Sequence, residues 1–119
     1  MFPHVRLRRL RYHSWLRDVV RENNLAVTDL IMPFFVKSGE KIKEPIELMP
    51  GNYRYSIDQL VTVVKHAYYL GIKMVALFPV IEDHLKDSEG SEAYNPDNLL
   101  CCAITVSYTH LTLPTILLV

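Results

Sequence analysis

Cysteine is almost missing from this sequence: there are two, Cys101 and Cys102, side by side. Adjacent cysteines rarely bond each other without strain, and these lack the Cys-x2-Cys spacing of a zinc knuckle. The reading is therefore a pair of reduced, buried or half-buried thiols, with no disulfide framework. Net charge is missing too, since 13 Lys and Arg balance 13 Asp and Glu. That leaves no general field to draw in nucleic acid or an anionic membrane, so neither is expected as a partner. No apolar run reaches the roughly 20 residues of a membrane-spanning helix. The N-terminal arginines are not followed by an apolar stretch of the secretory kind, so a cytoplasmic protein is expected. What is present suits one globular domain: 119 residues, 50% apolar and 22% charged.

Charge is nevertheless uneven. Arg6, Arg8, Arg9, Arg11 and Arg17 crowd the first segment, with Asp18 and Glu22 as the only acids before Asp29. No stacking platform of aromatics accompanies them, which favours a solvated or subunit-contacting arm over a nucleic-acid surface. Residues 1–12 read as extended. Ser14 is placed as the cap of a short helix with Trp15, Leu16, Val19 and Val20 on one side, closed by Asn23 and Asn24.

Two apolar runs of strand length follow, Leu30–Val36 and Met74–Val80, each holding a proline. Continuous rather than alternating apolarity predicts strands buried on both faces, as in a parallel sheet, although Pro33 removes a ladder donor. Between them, 37–45 reads as an exposed loop and Met49-Pro-Gly51 as a turn. Ser56 and Gln59 have the spacing of a capping box. Ile57, Leu60, Val61, Val64, Ala67 and Tyr68 then form one helical face, which Gly71 ends. After the loop LKDSEGSEAYNPDN, Asn95 and Pro96 are placed as the cap and first residue of a second helix with Leu99, Leu100, Ala103 and Ile104. Strand, helix, strand, helix in this order predicts an α/β protein with a parallel sheet. From Thr105 onward the sequence is β-branched and nearly uncharged, with no helical stripe. The second helix is expected to stop there, leaving an aggregation-prone tail.

Several segments together resemble one family, the delta-aminolevulinic acid dehydratases, also called porphobilinogen synthases. They are Arg8-Arg-Leu-Arg11, Asp29-Leu-Ile-Met-Pro-Phe-Phe-Val36, Glu44-Pro-Ile46, Met49-Pro-Gly51, Tyr53-Arg54, Ser56-Ile-Asp58, Val75-Ala-Leu-Phe-Pro-Val80, Lys86-Asp87 and Gly90-Ser-Glu-Ala-Tyr-Asn-Pro-Asp97. The resemblance runs from Arg6 to Ile104, and its specificity lies in the order and spacing of the pieces. It implies a (β/α)8 TIM barrel with an N-terminal arm that wraps a neighbouring subunit, usually in homo-octamers. The implied reaction condenses two molecules of 5-aminolevulinate into porphobilinogen, on the way to haem and chlorophyll. It further implies a pair of late catalytic lysines, at least one forming a Schiff base, and a zinc or magnesium ion in many members. The expected location is cytoplasmic, or plastid in a plant or alga.

A whole barrel takes roughly 250 residues. The expected organisation is thus 1–24 as arm with a short helix, 25–104 as the first two β/α units of a truncated barrel, and 105–119 as a tail foreign to the family, resembling translated adapter sequence. By that reading the lysines and metal ligands of the family lie outside this chain. No catalytic, cofactor-binding or metal residue is assigned, and an inactive fragment is expected, with a decoy or interaction module docking through the arm as the alternative.

Some residues invite a sharper reading. Lys37 leaves the first strand on the face where barrel enzymes do chemistry. Among Ser38, Gly39, Glu40 and Lys41 it should be solvated, without the desolvation that makes a lysine nucleophilic, and it is read as a surface residue. His84, Asp87, Glu89, Glu92 and Asp97 lack the rhythm of a calcium loop and are read as the wet side of a structured connection. Phe78 and Pro79 are expected in the core. Asn98 departs from the glycine the resemblance implies at that position.

Overall fold

The computed structural model describes residues 4, 5 and 7–111; Arg6 of the basic cluster and positions 112–119 of the expected tail lie outside the described residues. A four-stranded sheet carries the fold, in the order β2–β3–β1–β4. Its strands are β1 (Ile31–Val36), β2 (Lys43–Pro45), β3 (Tyr53–Tyr55) and β4 (Met74–Pro79). β1 and β4 run parallel over their full length, Ile31 opposite Met74 through Val36 opposite Pro79. β3 is parallel to β1 only at Phe35 and Val36. β2 returns antiparallel along β3. The helices are α1 (Ser14–Val19), α2 (Ile57–Tyr69) and α3 (Leu99–Leu111).

β2 corrects the reading of 37–45 as a loop throughout, and β3 lies in a stretch for which no element was expected. These three-residue strands are too short to show a period, and Lys43-Glu-Pro45 carries no apolar signal. The prolines, by contrast, fit their strands for a geometric reason. The Lys37 N–H donates to Tyr55 O at 2.8 Å and Val80 N–H to Val36 O at 2.7 Å. Odd-numbered residues of β1 therefore face β3, and β3 does not reach Pro33. On β4 the same parity turns Pro79 away from β1. Neither missing N–H interrupts a ladder.

α2 forms as the stripe predicts. Leu60, Val64 and Ala67 are buried against Phe34, Val36, Val75 and Leu77 of the sheet and Ala103 of α3. Gly71, at φ 97°, ends the helix. Its N–H reaches Tyr68 O at 2.9 Å and that of Ile72 reaches Ala67 O at 3.1 Å, a paired closure that satisfies two terminal carbonyls. The predicted capping box does not form. Ser56 occupies the cap position, but its side chain accepts no backbone N–H of its own helix.

Three further expectations are corrected. His13, not Ser14, precedes α1, and Ser14 is its first residue. Asn98, not Asn95, caps α3: its Oδ1 accepts the Cys101 N–H at 2.8 Å, so this asparagine has a capping role. Asn95 instead makes a local turn, accepting the Asp97 N–H at 3.0 Å. α3 does not stop at Ile104 but continues to Leu111. Ala103 and Ser107, four residues apart, are its buried positions among the described side chains; two small residues make a stripe that large-apolar periodicity does not reveal.

Only one sheet face is covered among the described residues. Phe34, Val36, Val75 and Leu77 are buried under the helices, whereas Ile31 is 57% and Phe78 46% exposed on the other face. Burial of both strand faces, and of Phe78, is thus corrected: Phe78 stands beside Phe35 on open surface, ring centroids 5.9 Å apart. Contiguous exposed aromatics beside a six-residue apolar strand drive association. The chain by itself should self-associate with rising concentration in sedimentation velocity, and Phe78→Lys should weaken this at least severalfold. A monodisperse wild-type monomer across the range would contradict it.

Candidate functional site

Polar groups gather where β1 and β4 end. Lys37 follows β1 directly, and its ammonium pairs with the Glu44 carboxylate of β2. The other Glu44 oxygen accepts from Arg54 Nη1 of β3 at 2.9 Å. Glu44 and Arg54 are directly opposite in the β2–β3 ladder, and three strands thereby converge on one carboxylate. The Lys37 hydrogen bond, with that from Arg54 and both positive charges, holds the Glu44 carboxyl below its usual range against a smaller opposing effect of burial. Lys37 is thus more than the plain surface lysine its sequence neighbours imply. It is half-exposed, but it is engaged in a bridge that sequence reasoning missed because β2 was missed.

The second strand exit is tied to the first. Ser38 Oγ donates to Glu82 Oε1 at 3.3 Å, joining the residues that follow β1 and β4. Glu82 also faces His84 Nδ1 at 3.3 Å. The loop beyond is built by local bonds. Asp87 Oδ1 accepts the N–H groups of Ser91 at 2.9 Å and Glu89 at 3.2 Å, and bonds from Ser91 lower its pKa first. Asp83 is lowered chiefly by its hydrogen bond from Lys86. Gly90 sits at φ 65°, where the chain turns into the 3-10 segment Ser91–Tyr94. Against this loop lies a cavity of about 400 Å³, its apolar wall including Pro79, Ile81 and Leu100 and its polar lining Lys86, Asp87, Glu92 and Asn98.

His84, Asp87, Glu89, Glu92 and Asp97 do not converge. Among the described residues no three His, Cys, Asp or Glu side chains could hold a metal ion together. Cys101 and Cys102 are free and exposed, which corrects the expectation that they are buried or half-buried. Adjacent helical positions point about 100° apart, so these thiols do not form a ligand pair. The donor set among the described residues does not fit the zinc or magnesium that the resemblance implies.

Acid should loosen this region. Glu44, Asp58, Asp83 and Asp87 all have pKa values lowered in the folded chain. A depressed carboxyl contributes stability above its unfolded pKa of about 4, lost as pH falls through the folded value. Thermal midpoints should fall between about pH 5 and about pH 3, less steeply in Glu44→Gln and in high salt, because these groups are exposed and screened. A wild-type slope unchanged by Glu44→Gln would remove Glu44 from this account.

Two parallel strands side by side, each leading through a polar exit towards a helix on the same face, define the class: an α/β protein. The model of the delta-aminolevulinic acid dehydratase family matches residues 4–118, and the chain belongs to that family. It is 46% identical over 99 residues to the delta-aminolevulinic acid dehydratase of Chlamydia pneumoniae, covering 83% of this chain and 30% of that protein. It is 47% identical over 100 residues to that of Bradyrhizobium diazoefficiens, covering 84% and 28%. Among solved structures, it superposes on the Toxoplasma gondii ME49 enzyme in complex with the reaction product porphobilinogen. The TM-score is 0.86 at 37% identity, over 98% of this chain and 33% of that one. The chain thus spans about 30% of the length of the curated relatives it matches. The family match extends past Ile104, where the resemblance was read to end.

Proposed function

We propose that this chain is the N-terminal arm and first two β/α units of a (β/α)8 barrel whose complete form is a porphobilinogen synthase, condensing two 5-aminolevulinate molecules with loss of water. The observation that supports this most is the superposition, at a TM-score of 0.86, on one third of an enzyme crystallised with porphobilinogen. In this reading β1 and β4 are adjacent staves. Their uncovered face, with Phe35 and Phe78, belongs to the barrel interior, and the Ser38–Glu82 tie lies at the mouth where such barrels do chemistry.

The role of these residues is to shape and position. Schiff-base chemistry needs an amine that is desolvated or set beside another cation. Lys37 instead sits half-exposed against the Glu44 carboxylate, an arrangement that keeps the ammonium occupied. The covalent step is therefore assigned to lysines of the complete enzyme outside this chain, and the chain alone is inactive. No step is routed through a metal, because no donor set among the described residues fits one.

The arm supports an assembly role in a homo-oligomer, an octamer by family resemblance, in the cytoplasm. Leu7, Tyr12, Val19 and Leu25 are all more than 70% exposed. Held by bonds such as Arg17 Nη1 to Arg11 O at 2.9 Å, α1 presents its apolar side outward. The same exposure favours a second reading, a non-catalytic subunit that docks through the arm. No helix among the described residues is long and apolar enough to cross a membrane. The deciding test is an assay for porphobilinogen and for borohydride-trapped lysine with the purified chain.

A further inference from the structure

We propose that Ser56 and Asp58 form a latch that positions the segment after β1, and with it the Lys37–Glu44–Arg54 cluster, rather than serving as the cap of α2. The inference rests on the proposed function only for what the latch serves; its geometry stands without it.

Ser56 has no exposed surface and lies where a serine ordinarily caps the following helix, yet its hydroxyl is turned to another segment. Its Oγ accepts the Ile42 N–H at 2.9 Å and donates to the Asp58 carboxylate. The Ser56 N–H donates to Ile42 O at 3.1 Å, so both backbone groups of Ile42 are held by one residue. Asp58 takes the preceding position: the Lys41 N–H reaches its two oxygens at 3.0 and 3.2 Å. An acid in the first turn of α2, where the helix terminus favours it, thus also reaches a segment 17 residues away.

The pinned segment is one that would not adopt this path unaided. Lys41 is held at φ 53°, the left-handed region that a lysine rarely occupies. Gly39 is at φ 124°, and a Cβ there would lie 2.4 Å from Ile42 Cδ1. A tight turn with a strained non-glycine residue persists only when its surroundings over-determine it. Immediately after the pinned pair, Lys43 and Glu44 enter register opposite Tyr55 and Arg54. The latch stands at the point where that register is set, and the register decides whether Glu44 meets Lys37. Ser56 and Asp58 are accordingly positioning residues for the exit of β1.

Amide hydrogen exchange on the full chain tests this. In Asp58→Ala, exchange at Lys41 should rise at least tenfold, and in Ser56→Ala that at Ile42, with amides inside α2 such as Val64 unchanged. Asp58→Asn keeps an acceptor oxygen and should restore most of the protection, which separates lost bonding from a general failure to fold. The Glu44 carboxyl, followed by carbon-13 resonance, should titrate closer to an ordinary glutamate in Asp58→Ala. A simple helix cap gives another pattern: faster exchange in the first turn of α2, with Lys41, Ile42 and the Glu44 titration unmoved. That result overturns the latch. Neither readout depends on turnover, so an inactive chain with the predicted exchange would leave the latch standing whatever became of the catalytic assignment.

Discussion

Incubated with 5-aminolevulinate, the purified chain should release no porphobilinogen, and borohydride should leave all six of its lysines free of substrate adduct. The argument is chemical. An imine-forming lysine must lose its proton near neutral pH, which enzymes arrange by desolvation or a neighbouring cation. The lysines whose contacts are defined have the opposite surroundings. Lys37 faces Glu44, and Lys86 faces Asp83 at 2.7 Å with 59% of its side chain exposed. Lys43 and Lys73 lie over the rings of Tyr53 and Tyr68 at 4.5 and 4.3 Å, in cation–π contact. Mass spectrometry after trapping reads the outcome directly. An adduct on any of these side chains would overturn the assignment of the covalent step to lysines elsewhere, and turnover would overturn it more completely.

Leu60→Ala should be the most damaging single truncation in α2, costing about 3 kcal/mol, or roughly a hundredfold in the folding equilibrium. Leu60 has no exposed surface and belongs to the cluster formed by β1, β4 and α3 with Val36, Leu77 and Ala103. Its removal leaves a void between sheet and helix that neighbours on rigid elements can fill only in part. Lys65→Ala, on the exposed side of the same helix, should change stability by less than about 0.5 kcal/mol. Urea titration followed by far-UV circular dichroism distinguishes the two. Equal effects would mean that the α2–sheet contact contributes little to the fold.

The open sheet face links these expectations to the proposed architecture. Strands as continuously apolar as β1 and β4 ordinarily have both faces covered, but here the helices cover one. Under the barrel proposal the remaining strands of the complete enzyme would cover the other. The same apolarity that suits a barrel interior makes this piece prone to associate when isolated.

The chain also shows which features a sequence carries openly. β1, α2 and β4 were legible because each has a strong apolar pattern and a clear end, such as Gly71 at φ 97°. The family was legible because its segments recur in order. Less legible were the elements whose signal is not periodic apolarity. β2 and β3 exist because Glu44 and Arg54 meet across a ladder. α3 runs to Leu111 because Ala103 and Ser107 are small enough to sit against α2 and the sheet. Capping serines and asparagines were correctly recognised as polar punctuation, yet Ser56 serves Ile42 and Asn98 takes the place expected of Asn95.

By itself the sequence determined the kind of units, their order and their family, because backbone propensity and burial pattern are local properties of the chain. Only the tertiary structure decided which partner each polar group took. Glu44 with Lys37 and Arg54, Ser38 with Glu82, and Asp58 with Lys41 are pairings across 7, 10, 44 and 17 residues. Such choices depend on distances that folding creates, and a hydrogen bond forms only where those distances close to about 3 Å.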